Sequence, residues 1–336
     1  MTASITAVAS QGVQWTPMIA LLAPGQGAQA PGMLAPWLEL EGAEDRIAAW
    51  SVSAGLNLRR LGTTADADEI RDTAVTQPLI VALSLLAAEH LLRRLDLPTD
   101  APVAGHSVGE LAASAIAGVL TADEAVALAT VRGREMAAAC GLAPTGMSAV
   151  LGGDRDEVTA ALAQLGLDTA NHNGTGQVVA AGRRDALAAL AAHKPARTRV
   201  IPLPVAGAFH TQFMVPAERV LAEYAAQLTA KDPSRPLLSN ADGQVVSDGV
   251  EMLDRLVAQV TKPVRWDSCM ATLGALHVTA TIELPPAGTL SGLVKRDMKG
   301  TVTLALKTPE DFDRVAGLIG DHSGVVGRTD RSGSRP

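Results

Sequence analysis

Aromatic side chains are scarce in this chain: three Phe, one Tyr and four Trp in 336 residues. The interior must therefore be filled by Leu, Val, Ile and Ala, packed as densely as any protein core. Few rings also means few stacking platforms for nucleic acid. With 28 basic against 35 acidic side chains and a formal charge of −7, the basic face that nucleic acid requires is missing as well. Cysteine is nearly absent. Cys140 and Cys269 lie far apart and form no CxxC pair, so neither a disulfide framework nor a zinc site is expected, and a reducing, cytoplasmic setting fits. Long apolar runs are lacking too. The greasiest stretch, from Leu79 to Leu92, is interrupted by Ser84 and by Glu89-His90, short of the roughly 18 residues of a membrane span. The first residues, MTASITAVASQGVQWTP, carry no basic n-region, so a secretory signal is not expected. What is present is a chain long enough to bury about three quarters of its unfolded surface in one large domain or two.

Short β-type runs alternate with longer helical ones, which predicts an α/β fold with a mainly parallel sheet. MIALLA (18–23) reads as a buried strand ending at Pro24-Gly25, and PVAG (102–105) as a second. Between them, residues 67–95 read as helical, with Pro78 near the first turn of the apolar segment and Pro98 beyond its end. A helix is expected from Val108. Thr121 with Glu124 three residues on makes a capping box for another that runs to Cys140, with Gly141 as its C-cap. Residues 146–206 change character to β-α-β-β-α-β, the ferredoxin-like order, and read as a small inserted α+β subdomain. Helices at 216–230, 249–260 and 266–276 and strands at 237–240, 281–284 and 303–306 then complete the large domain. The expected organisation is a flexible N-terminus (1–16), a large α/β-hydrolase-like domain (17–145 and 207–310), the subdomain (146–206) and a disordered tail (321–336) too poor in apolar residues to pack.

The sharpest chemical signal is Gly105-His106-Ser107-Val108-Gly109, a GxSxG between a strand and a helix. Such an elbow lifts the Ser hydroxyl onto a tight turn at a helix N-terminus, where backbone N–H groups favour a developing oxyanion. The plainer alternative is a turn with an N-capping serine. A nucleophilic Ser107 needs a base, and there are seven histidines. His90, His193, His277 and His322 fall in helical, pre-strand or tail positions, and His106 points away if Ser107 is the apex. His172, in NHNG, could line a cleft, while His210 lies where the chain leaves the subdomain, a junction at which clefts form. No acid is well placed between Ser107 and His210 to complete a triad; Asp154, Asp156 and Glu157 look like cap residues of a helix. The loop Pro24-Gly25-Gln26-Gly27-Ala28-Gln29 lacks the spacing of a phosphate loop. It is either a donor loop for an oxyanion or a simple tight turn, and residue types alone do not separate these.

Seven motifs taken together carry a resemblance: PGQGAQ (24–29), TQP (76–78), GHSVGE (105–110), VRGREM (131–136), NHNGTGQVVAAG (171–182), GAFH (207–210) and QVTKPVRW (259–266). In this order, spread from about residue 18 to 307, they resemble the malonyl-CoA:acyl carrier protein transacylases and the related acyltransferase domains of polyketide and fatty acid synthases. The resemblance implies that Ser107 is the nucleophile and His210 its base, in a dyad that agrees with the missing acid. It implies that Gln259 orients the histidine through its backbone carbonyl, that the backbone amides of Gln26 and Val108 form the oxyanion hole, and that Arg132 grips the free carboxylate of malonate. A guanidinium fork suits that last task, since it pairs bidentately with a carboxylate. Phe209 matches the bulky residue of malonyl-selective members, although GAFH departs from the family's common HAFH at Gly207.

The implied reaction is ping-pong transfer of malonyl from malonyl-CoA to the phosphopantetheine thiol of holo-acyl carrier protein, supplying extender units for fatty acid synthesis with no metal and no cofactor. The carrier proteins served by this family are acidic, so basic residues are expected near the mouth of a cleft between domain and subdomain. Arg183, Arg184, Lys194, Arg197 and Lys295 are unranked candidates. The expected partners are malonyl-CoA and acyl carrier protein, with no nucleic acid or membrane and a monomeric state. The rival readings are a free-standing acyltransferase that loads a polyketide carrier protein, a serine esterase or thioesterase, and a non-catalytic homologue that binds carrier protein.

Overall fold

A computed structural model describes residues 18–323 of the chain. The first strand is β1 (Met18–Ala23), followed by helices α1 (Ala43–Ala54), α2 (Leu58–Thr63) and α3 (Thr73–Arg94). Strand β2 (Val103–Gly105) leads into α4 (Gly109–Ile116) and α5 (Ala122–Cys140). Next come β3 (Thr145–Gly152), α6 (Arg155–Gln164), β4 (Asp168–His172), β5 (Gln177–Arg183), α7 (Arg184–Ala192) and β6 (Thr198–Pro202). The remainder comprises α8 (Val215–Ala225), β7 (Leu237–Leu238), β8 (Val245–Val246), α9 (Gly249–Ala258) and α10 (Trp266–Ala275). It ends with β9 (Val278–Glu283), α11 (Thr289–Asp297), β10 (Val302–Ala305) and α12 (Phe312–Ser323).

Six strands form the main sheet in the order β10-β9-β1-β2-β7-β8, parallel throughout except for the final antiparallel pair β7–β8. Both faces are covered, which is why β1 is apolar at every position instead of alternating. Ile19, Leu21 and Ala23 face a core built with α3, α4 and α5, and Ala20 and Leu22 face a second with α10 and α11. The few aromatics are spent here: Trp37, Trp50 and Trp266 are all fully buried. The remaining four strands form an antiparallel sheet in the order β4-β5-β3-β6, with α6 and α7 packed through Val158, Leu162, Leu187 and Leu190; this is the ferredoxin-like arrangement.

Three expectations change. The helix read over 67–95 begins only at Thr73, because Asp72 caps it through the Ala74 N–H, and Glu69–Arg71 ahead of it form a separate 3-10 turn; Pro78 thus falls in the second turn of α3. Alpha3 is long and apolar enough to cross a membrane by length and composition, yet most of it is buried inside the protein. The large domain does not stop at 310, nor does the tail begin at Asp321. Alpha12 carries the chain helically through Ser323, with Phe312, Val315 and Ile319 buried at helical spacing and Trp37 edge-on to Phe312 at 5.8 Å. Gly317 and Gly320 mask that amphipathic stripe in the sequence. The expected flexible segment 1–16 and the tail beyond 323 lie outside the described residues.

Candidate active site

The elbow is held by close backbone approach. Ser107 adopts a left-handed conformation, φ 53°, between the end of β2 and the start of α4. A Cβ on Gly105 would sit 2.2 Å from the Gly109 carbonyl, and one on Gly109 would sit 2.3 Å from the Ala23 carbonyl oxygen, so glycine is required on both sides. Asn240, just after β7, clamps the turn. Its Oδ1 accepts from the Ser107 N–H at 2.8 Å and its Nδ2 donates to the Gly105 carbonyl at 2.8 Å.

His210 reaches the serine from the segment between β6 and α8. It too has a left-handed backbone, φ 60°, and its N–H donates to the Val260 carbonyl at 3.1 Å. Its Nε2 lies 2.8 Å from Ser107 Oγ, and its Nδ1 lies 2.7 Å from the Gln259 backbone carbonyl. A carbonyl can only accept, so Nδ1 carries the proton and Nε2 is left to receive one from the serine. The histidine's orienting partner is thus a neutral carbonyl. Burial, with the Arg132 charge adding to it, pushes the His210 imidazole down to about 3, so it stays neutral at ordinary pH.

Arg132, on α5, is 2 % exposed. One amino group donates to Gln77 Oε1 at 2.7 Å, and the other to Gln259 Oε1 at 2.9 Å and to Ser107 Oγ at 3.3 Å. All three acceptors are neutral. A buried guanidinium normally has a carboxylate against it, and among the described residues this one has no ion pair; burial lowers it to about 10, opposed by the charge of Glu110. Glu110 itself is buried one step away. Its two oxygens accept from the Asn240 N–H at 2.6 Å and from Gln259 Nε2, and burial pushes its carboxyl up to about 8.

Of the residues singled out in the sequence, Ser107, His210, Arg132 and Gln259 are thus joined in one hydrogen-bonded cluster. Gln26 follows β1 and donates through Nε2 to Thr73 Oγ1 at 3.3 Å. Among the described residues, the backbone N–H groups of Gln26 and Val108 donate to no protein acceptor. Phe209 is buried in the main core beside the base. His106 turns away from the serine, with Nε2 2.9 Å from Asn173 Oδ1 and its ring 5.6 Å from that of Trp266. His172 faces elsewhere, into a cavity of about 1060 Å³ that it lines with Arg155, Asp267 and Met270 and that contains none of Ser107, His210 or Arg132. The basic candidates Arg183, Arg184, Lys194 and Arg197 are exposed on the antiparallel unit and Lys295 on α11; Arg183 pairs with Asp185 at 3.4 Å. Four residues with no assigned role in the sequence reading complete the surroundings: Gln77, Glu110, Asn173 and Asn240. Gln77, Glu110 and Asn173 stand inside the motifs TQP, GHSVGE and NHNGTG, whereas Asn240 carries no local signal beyond following a strand.

Fold and cluster together define an α/β protein with a Ser–His pair at a strand-to-helix elbow and a buried arginine over it. Residues 21–329 match the family model of the acyl transferase domain, and the chain belongs to that family. It is 59% identical over 302 residues, 90% of this chain and 100% of the relative, to the malonyl CoA-acyl carrier protein transacylase of Mycobacterium tuberculosis. Against the protein of the same name from Escherichia coli K12 it is 32% identical over 297 residues, 86% of this chain and 96% of that one. Among solved structures, that of MCAT from Mycobacterium tuberculosis superposes with a TM-score of 0.86 at 58% identity, covering 89% of this chain and 99% of the other. The acyl-carrier-protein S-malonyltransferase of Burkholderia pseudomallei does so with a TM-score of 0.83 at 31% identity, covering 89% and 99%.

Proposed function

We propose that this chain is an enzyme that moves the malonyl group of malonyl-CoA onto the phosphopantetheine thiol of holo-acyl carrier protein, for fatty acid synthesis. The observation that carries the reading is Ser107 Oγ lying 2.8 Å from a neutral His210 Nε2 and 3.3 Å from a buried arginine that, among the described residues, donates to neutral acceptors only. In the first half-reaction Ser107 Oγ attacks the thioester carbonyl and its proton passes to His210 Nε2. The oxyanion is stabilised by the Gln26 and Val108 amides. The C–S bond breaks, CoA thiolate takes the proton, and malonyl-Ser107 forms. In the second half-reaction the carrier thiol gives its proton to His210 and attacks the ester; the C–O bond breaks and Ser107 recovers the proton. Atoms and protons balance without a metal or redox cofactor.

Arg132 supplies selection. A malonyl carboxylate would complete the charge pairing of the guanidinium, while an acetyl group would leave it with neutral acceptors alone. Phe209 fills the space that an α-methyl group would need. Arg183, Arg184, Lys194, Arg197 and Lys295 are the candidates for docking an acidic carrier protein, and we place the reaction in the cytoplasm with the enzyme as a monomer.

Intact-mass spectrometry after brief exposure to malonyl-CoA tests the reading. A malonyl adduct that Ser107→Ala abolishes, and that passes to added holo-carrier protein, is expected. Thioester consumption with neither adduct nor transfer would instead make the protein a hydrolase. Transfer to a polyketide carrier protein in preference to one of fatty acid synthesis would redirect the pathway while keeping the chemistry.

A further inference from the structure

We propose that Glu110 is a positioning residue for acyl-group selection: by fixing the Gln259 side-chain amide in one orientation, it holds Arg132 open to the free carboxylate of the incoming acyl group. The inference rests on the reaction proposed above. The two ends of a glutamine amide have nearly the same shape, so hydrogen-bond partners decide which end points where. Gln259 Nε2 lies between two acceptors, a Glu110 carboxyl oxygen and Asn240 Oδ1 at 3.2 Å, which leaves Oε1 for Arg132 at 2.9 Å. Turned over, the amide would press an NH2 group against the guanidinium and a carbonyl oxygen against two oxygens.

Glu110 is itself held in place. Its other oxygen accepts from the Asn240 N–H at 2.6 Å, and its own N–H donates to the Ser107 carbonyl at 2.9 Å, so the turn that presents the nucleophile also sets the brace. The amide between acid and arginine is the feature that matters for selection. A carboxyl group touching Arg132 directly would occupy the fork that a malonyl carboxylate needs. With Gln259 on one amino group and Gln77 on the other, the guanidinium is oriented by neutral oxygens that compete poorly with an anion.

The test is the rate of Ser107 acylation by malonyl-CoA and by acetyl-CoA, measured on the wild-type chain, Glu110→Gln, Gln259→Leu and the double variant. Glu110→Gln keeps the shape but replaces a carboxyl oxygen, which can accept from an N–H in either protonation state, with an NH2 group that cannot; Gln259→Leu removes the amide and keeps the backbone carbonyl on His210. Each single change is expected to lower the malonyl-over-acetyl ratio by about tenfold or more, chiefly through slower malonylation, and the double variant is expected to lower it no further. Thermal unfolding shows whether Glu110→Gln is folded; if it is not, Gln259→Leu decides alone. An unchanged ratio overturns the inference, and so does an equal loss with both acyl groups, which would mark Glu110 as general support of the elbow. Wild-type protein that takes no malonyl group would overturn the reaction and this inference with it, whereas an unchanged ratio in variants of an active wild type overturns the inference alone.

Discussion

A buried arginine ringed by neutral oxygens is costly unless something arrives to meet its charge, and at Arg132 the cost and the selectivity are the same interaction. Arg132→Lys keeps a charge but loses the planar fork, and Arg132→Met loses both. We expect the kcat/KM for malonyl-CoA to fall about 10- to 150-fold in the lysine variant, the range set by roughly 1.5–3 kcal/mol for a hydrogen bond to a charged group. The methionine variant should fall further while acetyl transfer holds or rises; parallel acylation assays with the two thioesters read this out. The base makes a second prediction. Because His210 is pushed down to about 3, it is already neutral at pH 5, so the rate of Ser107 malonylation should show no acid limb centred on the ordinary histidine value of 6.5. A rate profile from pH 5 to 8 with such a limb would contradict the buried, neutral imidazole. At this scale the sequence was most informative where a residue type and its neighbours are both unusual, as at Ser107 between two glycines. It said nothing of Asn240, whose partners lie in two distant places in the chain, Gly105 and Ser107 in the elbow and Gln259 after α9.

Where β1, β2 and α4 converge, backbone meets backbone so closely that the glycines on both sides of the nucleophile have no room for a side chain. Gly109→Ala would drive a methyl group into the Ala23 carbonyl at 2.3 Å, backbone against backbone, with no flexible side chain to yield. We expect it to cost several kcal/mol, about the upper range for single substitutions, and to abolish acylation with it. Gly274→Ala provides the contrast. This exposed glycine sits inside α10 with nothing within 4 Å of an added Cβ, so the change should stabilise the protein by about 0.5–1 kcal/mol. Chemical denaturation of both variants checks the pair. The same contrast explains which elements were legible. Beta1 and the capping box at Thr121 and Glu124 are local patterns and appear as read. Alpha1 (Ala43–Ala54), α11 (Thr289–Asp297) and α12 were not read as helices. Alpha1 is bounded by glycines at both ends, α11 shows its apolar face only through Leu290, Leu293 and Val294, and α12 is interrupted by two glycines. Each is helical because it has a sheet or a neighbouring helix to pack against, which no window of sequence contains.

For the molecule as a whole, two buried titratable groups of the site pull stability in opposite directions along the pH scale. His210 has its folded value near 3 against an ordinary 6.5, so between those values the unfolded chain takes up a proton that the folded one refuses, and stability rises with pH. His90, His106 and His172, all lowered chiefly by burial, act with the same sign. Glu110 is the reverse. Its folded value near 8 against an ordinary 4.5 means that the folded protein keeps a proton which the unfolded chain has lost, so stability falls as pH rises between those values. From 4.5 to 6.5 the slopes of His210 and Glu110 cancel, and above 6.5 the Glu110 slope stands without its counterweight. We therefore expect the unfolding free energy, followed by urea denaturation from pH 4 to 9, to be greatest near pH 6–6.5 and to decline toward pH 8. Glu110→Gln should flatten that alkaline decline while leaving the acid side in place, and His210→Ala should make the acid side shallower. An alkaline decline that survives Glu110→Gln unchanged would place its origin in another group. The comparison also separates two properties that share one cluster, since the protonation that costs stability on the alkaline side belongs to Glu110, whereas the proton moved in acyl transfer belongs to His210.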